Sequence, residues 1–132
     1  MMQEMKAWYD MAIMDLGVAK HLEETYYPKP CEIICYHCQQ AAEKGIKALI
    51  MYYGAEGGMP KLHDLSFLLN QIKHKTVIEE KYYDYADTLT PYDVSVRYPN
   101  ELFLGEKHTK VAIQYAEEII EWVGSIVKHS KI

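Results

Sequence analysis

Cys31, Cys35 and Cys38 stand in the C-x-x-x-C-x-x-C spacing that holds a four-iron, four-sulfur cluster in radical enzymes using adenosylmethionine. That chemistry needs a loop after a strand, where the backbone can wrap three thiolates round one cluster. Here the three positions fall on successive turns of a predicted helix, so the thiols read as small buried hydrophobes, reduced rather than paired. Six histidines raise the question of a metal, but the chain has no H-E-x-x-H and no two His at i, i+4. His37 and Cys38, as helix neighbours, point about 100° apart and cannot share one ion. His21, His74 and His129 read as surface residues near helix ends. No metal and no cofactor are expected. Ser66, Ser95 and Ser125 have no nucleophile-elbow setting, and the pairs Glu23/Glu24 and Glu117/Glu118 read as solvated helix faces.

The stretch "YHCQQAAEKGIKALI", Tyr36 to Ile50, is more informative. Gln40, Lys44 and Lys47 lie at i, i+4, i+7 on one polar edge, and Glu43 with Lys47 forms an i, i+4 pair contributing about 0.3 kcal/mol on an exposed face. These groups are either the wet side of a core helix or the wall of a ligand site.

The elements that must position them follow from periodicity. Met5, Trp8, Ala12, Leu16 and Ala19, with Tyr9 and Ile13 widening the stripe, predict an amphipathic helix over 3–24. After "TYYPKP" a second helix over 30–53 carries two apolar stripes, Ile34/Cys38/Ala41/Gly45/Ala48 and Ala42/Ile46/Leu49/Tyr53, and is therefore sandwiched. Gly45, costly in a helix interior, implies close approach by a neighbour. A short helix over 64–73 turns Leu65, Leu68, Leu69 and Ile72 inward, and a fourth over 77–89 uses Ile78, Tyr82, Tyr85 and Leu89. "TPYDVSVRYPNELFLGEK" is the longest loop-like stretch. A last helix over 106–128 is expected to bury Val111, Tyr115, Ile119, Trp122 and Ile126. The result is an all-α, up-and-down bundle of about four main helices plus one short one, in a single domain over 1–132.

The 132 residues are 49% hydrophobic and 25% charged, an ordinary globular composition. A net charge of −5, with Arg97 the one arginine among 14 basic residues, argues against coating DNA or other nucleic acid by bulk electrostatics. No apolar run approaches the ~20 residues that span a bilayer, and the N-terminus has no secretory pattern, so no membrane contact and a cytoplasmic location are expected.

One combination of motifs is fairly specific. Ala12-x-x-Asp15-Leu16-x-x-Ala19, then "CYHCQQAAEKGIKALI", "LHDLSFLL", "YYDYADTL" and "YDVSVRYP" before a last amphipathic helix resemble the HEPN domain over nearly the whole chain. The resemblance implies a helical bundle, commonly a homodimer, often encoded beside a minimal nucleotidyltransferase in toxin–antitoxin modules and associated with nucleotides or RNA. Many members are metal-independent ribonucleases that carry an Arg followed after four to six residues by a His. There the Arg stabilises charge on the phosphorane and the His moves the 2′-hydroxyl proton.

Here that motif fails: after Arg97 the corresponding positions hold Leu102, Phe103 and Leu104, and the next histidine is His108, well beyond that interval. The expectation is a non-catalytic accessory protein, binding a nucleotide or RNA or serving a nucleotidyltransferase partner. Arg97 and Tyr98, with Tyr92, Gln40, Lys44, Lys47 and Asp15, are the candidate binding residues. The alternative is an RNA-cleaving toxin using Arg97 with His108 or His63. A purely structural role would pair Arg97 with Asp15 or Glu43.

Overall fold

The computed structural model describes residues 2–54, 59–93 and 104–128, and among them every regular element is helical. The elements are α1 (Met2–Thr25), α2 (Cys31–Tyr53), α3 (Leu65–Asn70), α4 (Glu80–Leu89), a 3-10 turn (Thr90–Tyr92) and α5 (Glu106–Val127). Arg97 and Tyr98 lie outside the described residues.

α2 is the hub. It packs against α1, α5, α3, α4 and the 3-10 turn, and more than half of its residues are buried. Gly54 ends it in the left-handed region at φ +64°, where its N–H reaches the carbonyls of Ile50 and Met51. Any residue with a Cβ would be strained there. Asp64 opens α3 by accepting the Phe67 N–H at 3.2 Å, which is why the helix starts at Leu65. Leu65, Leu68, Leu69 and Ile72 are all buried, but the helix ends at Asn70 and Ile72 sits in the following turns. α4 begins at Glu80, three residues later than the spacing predicts, and Val77 stands 88% exposed before it.

Two faces differ from the sequence expectation. Ile13 does not widen the core stripe of α1; it is 44% exposed, on the side away from buried Met5, Ala12, Leu16 and Ala19. In α5 the deepest stripe is Thr109, Ala112, Ala116, Ile119, Ile120, Val123, Gly124 and Val127, while Val111 is exposed. Small residues let α5 lie close against α2, and the larger rings turn toward α4 instead. There Tyr115 stacks on Tyr85 at 4.0 Å and Trp122 on Tyr82 at 4.5 Å between centroids. Tyr85 also donates to Glu118 at 2.9 Å, and that hydrogen bond pushes its phenol pKa up to about 12.

Ion pairs tie the bundle ends together. Lys20 on α1 meets Glu117 on α5, and Lys29 bridges Glu23 at 2.9 Å and Glu106 at 3.0 Å. Cys35 and Cys38 are buried on a continuous helix, where desolvation drives the Cys38 thiol far up. This is the environment of a packing residue rather than of a thiolate ligand.

Gly45 faces Ile120 and Val123 of α5 and Ala12 of α1, as close helix approach requires. A Cβ there would meet them at 3.6, 3.7 and 3.9 Å, ordinary van der Waals contact. The space therefore admits alanine, and Gly45→Ala is expected to stabilise the fold by about 0.5–1 kcal/mol in urea unfolding through its better helix propensity.

Candidate functional site

Glu43 sits in the middle of the most buried helix, 4% exposed, and a carboxylate that deep must be answered by donors. Its answer comes from three directions. Gln39, one turn earlier, donates Nε2 to Oε1 at 3.0 Å; Lys47, one turn later, donates Nζ to Oε2 at 2.9 Å; and His63, from the segment before α3, places Nδ1 3.0 Å from Oε1. The same Nδ1 lies 3.4 Å from Oδ2 of Asp93, just past the 3-10 turn. Gln40 closes the circuit, its Nε2 reaching Asp93 Oδ1 at 3.1 Å and Gln39 Oε1 at 2.8 Å. Lys47 is only 7% exposed and lies 5.3 Å over the ring of Trp8 on α1.

The electrostatics follow. Burial pushes the Glu43 carboxyl up, but the hydrogen bonds from Gln39, Lys47 and His63 together outweigh it and hold the group below the ordinary glutamate value. His63 is raised above 6.5, first by its hydrogen bond to Glu43 and further by the charges of Glu43 and Asp93. Asp93 is raised by desolvation, with the nearby Glu43 charge adding to it. With His63 protonated, two carboxylates face an ammonium and an imidazolium, so the cluster is neutral.

A second constellation flanks it. Asp15 of α1 accepts from Lys44 at 2.6 Å and lies 3.0 Å from His37 Nδ1, locking α1 onto α2. The polar edge of α2 is thus divided: Lys44 serves Asp15, Lys47 serves Glu43, and Gln40 serves Asp93. The Glu43–Lys47 pair is not a solvated face but a buried one. Tyr92 is 8% exposed and near Cys35 and Cys38, so its ring is largely core. His63 and Asp93 are the members that sequence spacing does not bring to the site. Each comes from outside the long helices, and only the path of the chain places them beside Glu43.

Of the two histidines a nuclease would use, His108 is held at the start of α5, where its Nδ1 accepts the Gly105 N–H at 3.0 Å. That leaves the α5 N-terminus capped by its own third residue.

Comparison with known proteins agrees with this architecture. A family model described as the HEPN domain matches residues 5–126. An archaeal HEPN homologue of known structure is 25% identical, with a TM-score of 0.73 over 94% of this chain and 98% of that one. A HEPN domain protein from Thermotoga maritima is 27% identical, with a TM-score of 0.68 over 96% and 99%. A protein of Thermus thermophilus, 22% identical, shares the fold at a TM-score of 0.79 over 92% and 97%. No curated protein matches significantly. The chain belongs to the HEPN domain family.

Proposed function

We propose that this HEPN chain is a non-catalytic accessory protein that acts by binding, taking a nucleotide or RNA phosphate or serving a minimal nucleotidyltransferase in a toxin–antitoxin-like pair. The observation that carries this reading is the engagement of both histidines. His108 commits its Nδ1 to the Gly105 amide, and His63 is fixed between Glu43 and Asp93. Neither histidine stands at the four-to-six-residue spacing after Arg97 in the sequence. Lys44 and Lys47 are likewise paired, with Asp15 and Glu43, and Arg97, which lies outside the described residues, is the cation we assign to a phosphate.

The test is incubation with labelled RNA in EDTA, together with thermal unfolding against nucleoside triphosphates. Intact RNA and a rise in melting temperature are the expected results; a ligand at 100 times its Kd adds about 2.7 kcal/mol. RNA cleavage abolished by Arg97→Ala would establish the ribonuclease instead, with His108→Ala and His63→Ala telling which histidine serves it.

A homodimer has a specific surface available. The outer face of α1 carries Ile13, Met14 and Val18 around Gly17, flanked by Asp10 and His21, with Met14 69% exposed. An antiparallel, two-fold pairing of this face sets Asp10 against His21 of a second copy, Ile13 against Val18, and Met14 against Gly17. A Cβ at Gly17 would meet nothing within 4 Å, so the large side chain finds space opposite the smallest. Light scattering over a dilution series should show a dimer that Met14→Glu converts to monomer. A wild-type monomer throughout would rule this pairing out.

A further inference from the structure

We propose that Glu43, His63 and Asp93 form a site for one divalent transition-metal ion of the zinc type. The three side chains converge from three separate segments, the middle of α2, the stretch before α3 and the end of the 3-10 turn. One donor atom from each lies within 4.8 Å of the others. The two edges that meet at His63 Nδ1 are 3.0 Å to Glu43 Oε1 and 3.4 Å to Asp93 Oδ2. Two ligands each ~2.1 Å from a tetrahedral zinc ion are themselves ~3.4 Å apart, which the two edges at His63 match to within a few tenths of an ångström, while the carboxylate-to-carboxylate edge lies within the 4.8 Å that bounds the group.

The surroundings hold the donors in place. Lys47 occupies the far oxygen of Glu43, Gln40 the far oxygen of Asp93, and Gln39 joins the two by donating to Glu43 and accepting from Gln40. Each carboxylate thus keeps one oxygen directed at His63, that of Glu43 shared with the Gln39 amide, while its other oxygen is held by Lys47 or Gln40, which is how outer-shell partners prepare a metal site. The donor set is one imidazole and two carboxylates without a thiolate, suited to zinc and neighbouring divalent ions. His63 is 61% exposed on its side chain, so the ion can arrive from solvent and a fourth position stays open to water.

Binding exchanges waters of the hydrated ion for the three side-chain donors, and where His63 carries a proton that proton passes to solvent as the imidazole coordinates. Lys47 opposes the ion through its charge, but at 2.9 Å from Oε2 it touches the oxygen the ion does not use. This site is independent of the binding role above: neither intact RNA nor a melting temperature unmoved by nucleotides bears on it.

Calorimetric titration of the EDTA-stripped, desalted protein with zinc chloride reads the site. One saturable equivalent per chain is expected. His63→Ala and Asp93→Asn should each weaken that equivalent by at least ~10-fold. Both replace side chains outside the hydrophobic core, and helical circular dichroism checks that they fold. No saturable uptake, or an equivalent kept unchanged in both variants and therefore held by other His or Cys residues, would overturn the proposal.

Discussion

Glu43→Ala is expected to lower stability by about 3–5 kcal/mol, the cost of breaking a buried ion pair from one side. The substitution removes the acceptor for Gln39, Lys47 and His63 at once. It leaves an ammonium that is 7% exposed without the carboxylate that neutralises it. Against a typical domain stability of about 5–15 kcal/mol this is a large fraction. Urea unfolding measures it, and Glu43→Gln separates charge from shape: the amide keeps an oxygen for Lys47 and should cost less than alanine. If Glu43→Ala costs under about 1 kcal/mol, the cluster is not a buried one in solution.

Leu49→Ala should be of similar size, about 2–5 kcal/mol, for a different reason. Leu49 is wholly buried in the hub helix, where close packing resists collapse around a lost isopropyl group. The midpoint in urea should fall while the slope stays constant, because the same surface is exposed on unfolding. The contrast with Gly45→Ala, one turn earlier on the same helix, is informative. One position sits at ordinary contact distances and gains from a methyl, whereas the other loses methyls that nothing replaces.

Helix identity is legible because the apolar period is strong over long spans. Periodicity places α1, α2 and α5 to within about two residues at either end. The orientation of α5 is less so. Of the expected inward set Val111, Tyr115, Ile119, Trp122 and Ile126 only Ile119 lies on the deepest face, which Ala112, Ala116 and Gly124 share with Ile120, Val123 and Val127. Hydropathy ranks residues by size, while helix–helix contact also selects for smallness. In α1 the exposed Ile13 reads with the core, because one sequence cannot separate an inward stripe from an outward apolar one.

For the site, Gln40, Lys44 and Lys47 are visible through helical spacing on α2, and Asp15 through the α1 motif of the family resemblance. The structure brings them into two clusters rather than one. Glu43 reads as half of an exposed i, i+4 pair, and nothing in its local sequence marks its burial. His63 and Asp93 enter only inside the motifs "LHDLSFLL" and "YDVSVRYP" that carry the family resemblance, His63 also as an alternative nuclease residue, and neither as a partner of Glu43. Both belong to connecting segments, whose course depends on how α3 and α4 pack and leaves no periodic trace.

pH gives the cluster a signature with two limbs. Glu43, held below its ordinary value of 4.5, contributes stability that is present above that value and lost as pH falls through its folded pKa. His63, held above 6.5, contributes stability that is full below 6.5 and lost as pH rises through its folded pKa. Asp93, raised above 3.8, works the other way and costs stability once it ionises. The advantage of wild type over His63→Ala in EDTA should therefore be greatest in the weakly acidic range between these limbs.

The central claim is that the polar edge of α2 and the segments bearing His63 and Asp93 meet in one buried cluster centred on Glu43. Its most direct test is the titration of the His63 ring by NMR in EDTA. A midpoint above 6.5 in wild type that falls in Glu43→Gln is the predicted result. A midpoint at or below 6.5, or one that Glu43→Gln leaves unmoved, would contradict it.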